Sequence, residues 1–121
     1  MSVNVDQVVK GVKSGSIPAQ AGLSAILLKS RDNHVEIHPH LPYLLERLHL
    51  ENDSVLLAVV LEIFADLLSK EKSDEVADYL IEDTHTSRLL RLLNNNDFPV
   101  RYPLLRLLIS LCKLRRHAIQ R

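Results

Sequence analysis

Residues 53 to 69 read DSVLLAVVLEIFADLLS, and residues 97 to 113 read DFPVRYPLLRLLISLCK. At a shift of 44 they place Asp53 on Asp97, Glu62 on Arg106, Asp66 on Ser110, Leu67 on Leu111 and Ser69 on Lys113. Each stretch opens on an aspartate suited to capping a helix, because its carboxylate accepts from the free amides of the first turn. Each is then apolar nearly all round except for one thin line: Glu62, Asp66 and Ser69 in the first, Arg106, Ser110 and Lys113 in the second. A helix wetted along so narrow a line must be covered on its other sides. Leu67 and Leu111 are therefore both predicted to be core.

A shorter helix precedes each long one. Leu44, Leu45 and Leu48 match Leu89, Leu90 and Leu93 at a shift of 45. A weaker third copy starts at Pro18, with Leu27-Leu28 standing 40 residues before Leu67-Leu68. A period of about 40–47 residues with two or three helices per unit is the mark of armadillo and HEAT repeats. The extra short elements His34 to Ile37 and Asp74 to Ile81 favour the three-helix armadillo form. The sequence predicts an all-α fold, an armadillo/HEAT-like right-handed α-solenoid of about three repeats. One domain is expected over 1–121, with approximate repeats 1–31, 34–70 and 73–114 and the start of another at 116–121. Solenoid ends need polar caps, and residues near 121 offer none. The chain is thus expected either to be a fragment of a longer one or to cover its end by self-association.

The element boundaries follow from local signals. A helix is expected over Asp6 to Lys13, ended near Gly15, and another over Ala19 to Lys29 with Pro18 in its first turn. Residues 31–33 form a joint, and His34 to Ile37 make one short turn before Pro39. Pro42 opens the next helix, and Asp53 caps a long one to about Ser69. After the joint 70–72, Ser73 caps Asp74 to Ile81, and Thr84 or Thr86 caps a run to Leu93. Beyond the joint 94–96, Asp97 caps a helix to about Leu114, with Pro99 in its first turn and Pro103 a turn later. No alternating run bounded by turn residues occurs, so no strand is predicted.

Composition narrows the function classes. The 121 residues are 46% apolar and 25% charged, with 24 leucines, no tryptophan and 4% aromatics. Such a core suits packed helices. The single cysteine, Cys112, excludes an internal disulfide framework and fits a reducing compartment. It lies among Leu108, Leu111 and Leu114 and is expected to be a buried, inert filler. The first twenty residues hold no apolar run, so no secretory leader is expected. The longest strictly apolar run, Val55 to Leu61, is far short of the ~20 residues a membrane span needs. A cytoplasmic location follows.

Net charge is zero, which does not favour nucleic acid, but the charge is uneven. Residues 50 to 87 carry ten carboxylates against Lys70 and Lys72, and residues 88 to 121 carry eight basic side chains against Asp97. Either a basic surface seeks an acidic partner, or neighbouring layers neutralise one another.

Catalytic and cofactor chemistry finds no purchase. His34, His38 and His40 lie close in sequence with Glu36 between them, but Pro39 breaks any helix that would align them. A loop is expected there rather than a metal site. The glycines Gly11, Gly15 and Gly22 form no phosphate loop. Asn52-Asp53-Ser54 matches a glycosylation acceptor, yet Asp53 is better explained as a cap. No catalytic residue, metal or cofactor is expected. In stacked repeats the last helix of each unit lines a groove, making Glu62, Asp66, Arg106, Ser110 and Lys113 the candidate partner-binding residues. Importin-like grooves carry Trp and Asn ladders, which this stripe lacks. Simple solvation, with Glu62 and Arg106 pairing across repeats, is the other reading.

The stretch 97–108, DFPVRYPLLRLL, also carries a family resemblance. Asp97, Phe98, Val100, Arg101 and Pro103, with Leu107-Leu108, Ser110-Leu111 and Lys113, resemble the armadillo-repeat head of the vesicle-docking (general vesicular transport factor) tethers. There a similar acidic-Phe-x-Val-Arg-aromatic-Pro element opens the long helix of an early repeat. The leucine-rich run 89–93 and Gln120 also fit. The resemblance implies a dimeric, non-catalytic tether at the endoplasmic reticulum–Golgi step, peripheral on Golgi or transport-vesicle membranes. Its implied partners are a Rab-family GTPase and Golgi coiled-coil proteins. The sequence departs from that family in having no coiled-coil tail. The alternative is a nucleic-acid- or anionic-membrane-binding repeat module using Arg101, Arg106, Lys113, Arg115, Arg116 and Arg121.

Overall fold

Asp53 opens a helix where the sequence placed it, its carboxylate accepting from the amides of Val55 at 2.8 Å and Leu56 at 3.2 Å. The computed structural model describes residues 4–70, 74–94 and 97–119. In order these form α1 (Val5–Ser14), α2 (Ala19–Asp32), a 3-10 helix (His34–His40), α3 (Leu41–Leu50), α4 (Ser54–Leu68), α5 (Asp74–Ile81), α6 (Asp83–Leu92) and α7 (Phe98–Ile119). No strand occurs among the described residues, and the fold is all-helical. The predicted cap Ser73, residues 71 and 72 of the joint 70–72, Asn95 and Asn96 of the joint 94–96, and residues 120 and 121 lie outside them.

Several boundaries differ from expectation, each for a local reason. α2 runs through Arg31 and Asp32 and stops only at Asn33, whose extended backbone breaks it. The 3-10 helix passes through Pro39 to His40 instead of stopping at Ile37, since a proline φ near −65° lies within the 3-10 range. α6 begins at Asp83, with the amides of His85 and Thr86 both bonded to the Glu82 carbonyl at 3.0 Å. Thr86 therefore does not cap α6. Its hydroxyl donates to the carbonyls of Leu80 and Ile81 and closes α5. α7 continues as one helix to Ile119, through positions 116 to 119 where a further unit was expected to begin. Pro103 lies inside it, as predicted.

α4 is the hub. Its main neighbours are α7 and α2, and α3 and α5 also touch it. Ser30, near the end of α2, bonds Asp66, near the end of α4. Ser54, at the start of α4, bonds Asp97, just before α7. Like ends meet like ends, so α2, α4 and α7 run parallel in one row. The core follows that row: Leu23 and Ile26 from α2, Leu61, Ile63, Phe64 and Leu67 from α4, and Leu104 and Leu107 from α7 are buried.

At the other side of α2 lies α1. Gly15 ends α1 with φ 84°, a conformation that needs no Cβ. Gly22 brings the two helices together, since a Cβ there would meet Val12 Cγ2 at 2.3 Å.

Leu67 and Leu111 do not share one environment. Leu67 is buried, whereas Leu111 is only half-buried against the core, because no described helix covers the far side of α7 as α7 covers α4. Leu67→Ala should destabilise by about 2–5 kcal/mol as a cavity substitution. Leu111→Ala should cost about 1–2 kcal/mol, since fewer packed atoms are lost. Urea unfolding of both variants checks this, and equal losses would show that Leu111 is covered.

Candidate interaction surfaces

The five stripe residues part company. Asp66 is tied inward: Oδ2 accepts from the Ser30 hydroxyl at 2.5 Å, and the Lys70 ammonium stands 3.9 Å from Oδ1. Ser30 is fully buried and also lies 2.6 Å from the Leu27 carbonyl, so Asp66 serves as a strut between α2 and α4. Glu62 and Ser110 are half-buried, whereas Arg106 and Lys113 are exposed. Among the described residues no ion pair joins Glu62 to Arg106. Arg106 and Lys113, seven residues apart, share one face of α7.

The motif 97–103 divides similarly. The Asp97 carboxylate accepts from the Ser54 hydroxyl, while Val100 and Pro103 are buried. Phe98, Arg101 and Tyr102 are exposed. Half of the motif locks α7 to the start of α4, and half faces outward.

Cys112 corrects the sequence reading, for it is exposed rather than buried filler. It lies on the uncovered side of α7, along a groove of about 280 Å³ lined by Leu105, Leu108, Ile109, Cys112 and Lys113. The apolar pattern of α7 demands cover on that side, and no other described element supplies it.

The histidines join elements instead of converging. His38 Nδ1 lies 3.4 Å from Glu75 of α5, and His40 pairs with Asp6 of α1. Among the described residues no group of three or more His, Cys, Asp or Glu is placed to hold a metal ion. Sequence reasoning missed two contacts. Arg88 of α6 donates from Nε to the Leu48 carbonyl and from Nη2 to the Glu51 carbonyl, both at 3.0 Å. A cation at the end of α3 satisfies carbonyls that have no helical partner. Beside it, His49 Nε2 and His85 Nδ1 are 2.6 Å apart. One ring must donate and the other accept, so both cannot be protonated while that bond stands. The only sequence signal for either contact was the shift between α3 and α6.

Among the described residues no helix is long and apolar enough to cross a membrane. Compared with family models, with curated proteins and with solved structures, the chain matches none.

Burial holds His49 below the ordinary imidazole range, helped by the His85 ring and the Arg88 and Arg91 guanidiniums. The unfolded chain then binds the His49 proton more readily than the fold does, so this contribution is present above about pH 6.5 and is lost as pH falls below it. Between about pH 7.5 and 5.5 the melting temperature should therefore fall further for the wild type than for His49→Gln. Equal falls would show that His49 titrates as in the unfolded chain.

Proposed function

We propose that the chain is a non-catalytic protein-interaction scaffold, an armadillo-like right-handed solenoid of about three units that works by presenting helix faces. The observation that carries this is a spacing. Seven hydrogen bonds joining distant parts of the described chain all link residues 34 to 43 positions apart. A residue thus meets its neighbour one unit along the chain, as in a quasi-one-dimensional stack. The parallel row α2, α4, α7 supports the same reading.

The more specific form of the proposal is the head of a vesicle tether in endoplasmic reticulum–Golgi transport. It would act from the cytoplasm, peripheral on Golgi or transport-vesicle membranes, with a Rab-family GTPase or a Golgi coiled-coil protein as partner. Its support is the motif around Asp97, Phe98, Val100, Arg101 and Pro103, whose members Phe98 and Arg101 are exposed in the first turns of α7.

Reversing Arg106 and Lys113 to glutamate should leave melting nearly unchanged, since exposed charges contribute about 0–1 kcal/mol. Binding to an immobilised, purified Rab-family GTPase should weaken at least tenfold. Unchanged binding would remove the Arg106–Lys113 face from the account. Capture of phosphatidylserine vesicles or RNA instead, falling steeply with salt, would favour the membrane- or nucleic-acid-binding alternative.

A further inference from the structure

The third unit leaves open the face that the second unit has covered. At the shift of 44, Leu105 and Ile109 correspond to Leu61 and Ala65. Leu61 and Ala65 are 0% and 2% exposed, whereas Leu105 and Ile109 are 46% and 55% exposed. At the shift of 45, Leu90 and Leu93 correspond to Leu45 and Leu48. The latter are buried, while Leu90 and Leu93 are 53% and 37% exposed. On α7 the open residues Phe98, Tyr102, Leu105, Ile109 and Cys112 are spaced by four, three, four and three. That spacing draws a straight apolar seam along one side of a helix, and the groove beside Leu105, Ile109 and Cys112 lies on it.

Charge selects the occupant. The sequence of α7 from Phe98 to Ile119 contains no carboxylate. Helical spacing puts Arg101 on one edge of the seam and Arg106 and Lys113 on the other, all three exposed. None of the three makes an ion pair among the described residues.

A second copy fits this face poorly. In a two-fold pair the same surface meets itself, and the basic edges would oppose one another. In a head-to-tail arrangement the seam would need an apolar face at the other end of the chain. There α1 covers α2 and shows Asp6, Gln7, Lys10 and Lys13 to solvent. Among the described residues of α1 and α2, Leu28 is the one exposed large apolar side chain.

We propose that the open face of α6 and α7 docks an amphipathic helix with an apolar seam and acidic edges, laid along α7 as α7 is laid along α4. The inference rests on the repeat reading, because the equivalence of α4 and α7 defines the face.

Cys112 supplies the readout, being the chain's single cysteine and exposed on this face. The probe is a synthetic peptide of the sequence 98–114 carrying Arg101→Glu, Arg106→Glu and Lys113→Glu, with Cys112→Ser so that the chain's thiol is the only one present, which keeps the apolar face that α7 turns to α4. Added to the intact chain, it should slow alkylation of Cys112 at least fivefold. Raising salt from about 0.05 to 0.5 M should weaken that protection. The basic peptide, with Arg101, Arg106 and Lys113 kept and Cys112→Ser alone, should protect at least tenfold less well. In the chain, Ile109→Glu and the milder Ile109→Gln should both remove protection while melting stays unchanged.

No protection by the acidic peptide, or equal protection by both peptides, would overturn the proposal. So would protection that grows with protein concentration alone, which would assign the face to a second copy. Protection by phosphatidylserine vesicles without protection by the acidic peptide would assign it to a membrane. Because the readout is the thiol, a chain that binds its GTPase with Cys112 unprotected would overturn the docking face and leave the scaffold reading intact.

Discussion

α4 has almost no side that tolerates water, and the arrangement of the other helices follows from that constraint. Nine of its fifteen residues are buried, more than one amphipathic face supplies. Such a helix is stable only when enclosed, and α2, α3, α5 and α7 enclose it. Burial is non-directional and does not by itself choose the register of those neighbours. The polar bonds at its two ends do: Ser54 with Asp97 at the start, Asp66 with Ser30 at the finish. A carboxylate displaced from its hydroxyl partner loses a charge-assisted bond, at a part-buried site for Asp66 and at an exposed one for Asp97. The helices flanking α4 are therefore pinned lengthwise as well as pressed sideways.

Enclosure of one helix transfers the problem to the next, and the two ends of the row handle it differently. On one side α2 is closed off by α1, whose outward residues are polar and whose close approach depends on Gly22 lacking a Cβ. On the other side α7 has the apolar pattern of an enclosed helix and is enclosed on one side only. Its buried residues Val100, Leu104 and Leu107 face the core, while Phe98, Tyr102, Leu105 and Ile109 face solvent. An exposed seam of that length is costly in water, and such patches mark contact surfaces.

What the sequence made legible was local. The cap at Asp53, the stop at Gly15 and Pro103 inside α7 each depend on residues within a few positions of one another. Leu111 and Cys112 were misread because their burial depends on a further layer, not on the pattern of their own helix. Thr86 was misread, and the contacts of Arg88 were missed, for a related reason. Both spend their donors on carbonyls of a preceding helix, and no local spacing announces a bond of that kind. Asp66 belongs with them, since its place in a repeated polar line read as a partner groove or as solvation, and Ser30 stands opposite it. The repeat located the faces of the long helices, but not which polar groups on them were already committed.

The same distinction bears on the uneven charge. Were the acidic stretch 50–87 and the basic stretch 88–121 neutralising one another, ion pairs would join them. Among the described residues neither the three lysine or arginine ion pairs nor the three histidine–carboxylate contacts do so. The carboxylates Glu82 and Asp66 pair within the acidic stretch, Glu75 meets His38 of the 3-10 helix, and Arg88 goes to backbone carbonyls. Arg101, Arg106 and Lys113 of α7 are exposed, outside these pairs and beside exposed apolar side chains. Charges so placed contribute little to the fold, because water screens them. They contribute more at a contact that excludes water, where the effective dielectric falls and an opposing carboxylate is worth several times its value in solvent. A basic-edged apolar seam therefore discriminates among partners in a way that neither its charges nor its leucines do alone. The apolar strip makes burial favourable, and the cations make it favourable only for a surface that brings negative charge to the same edges.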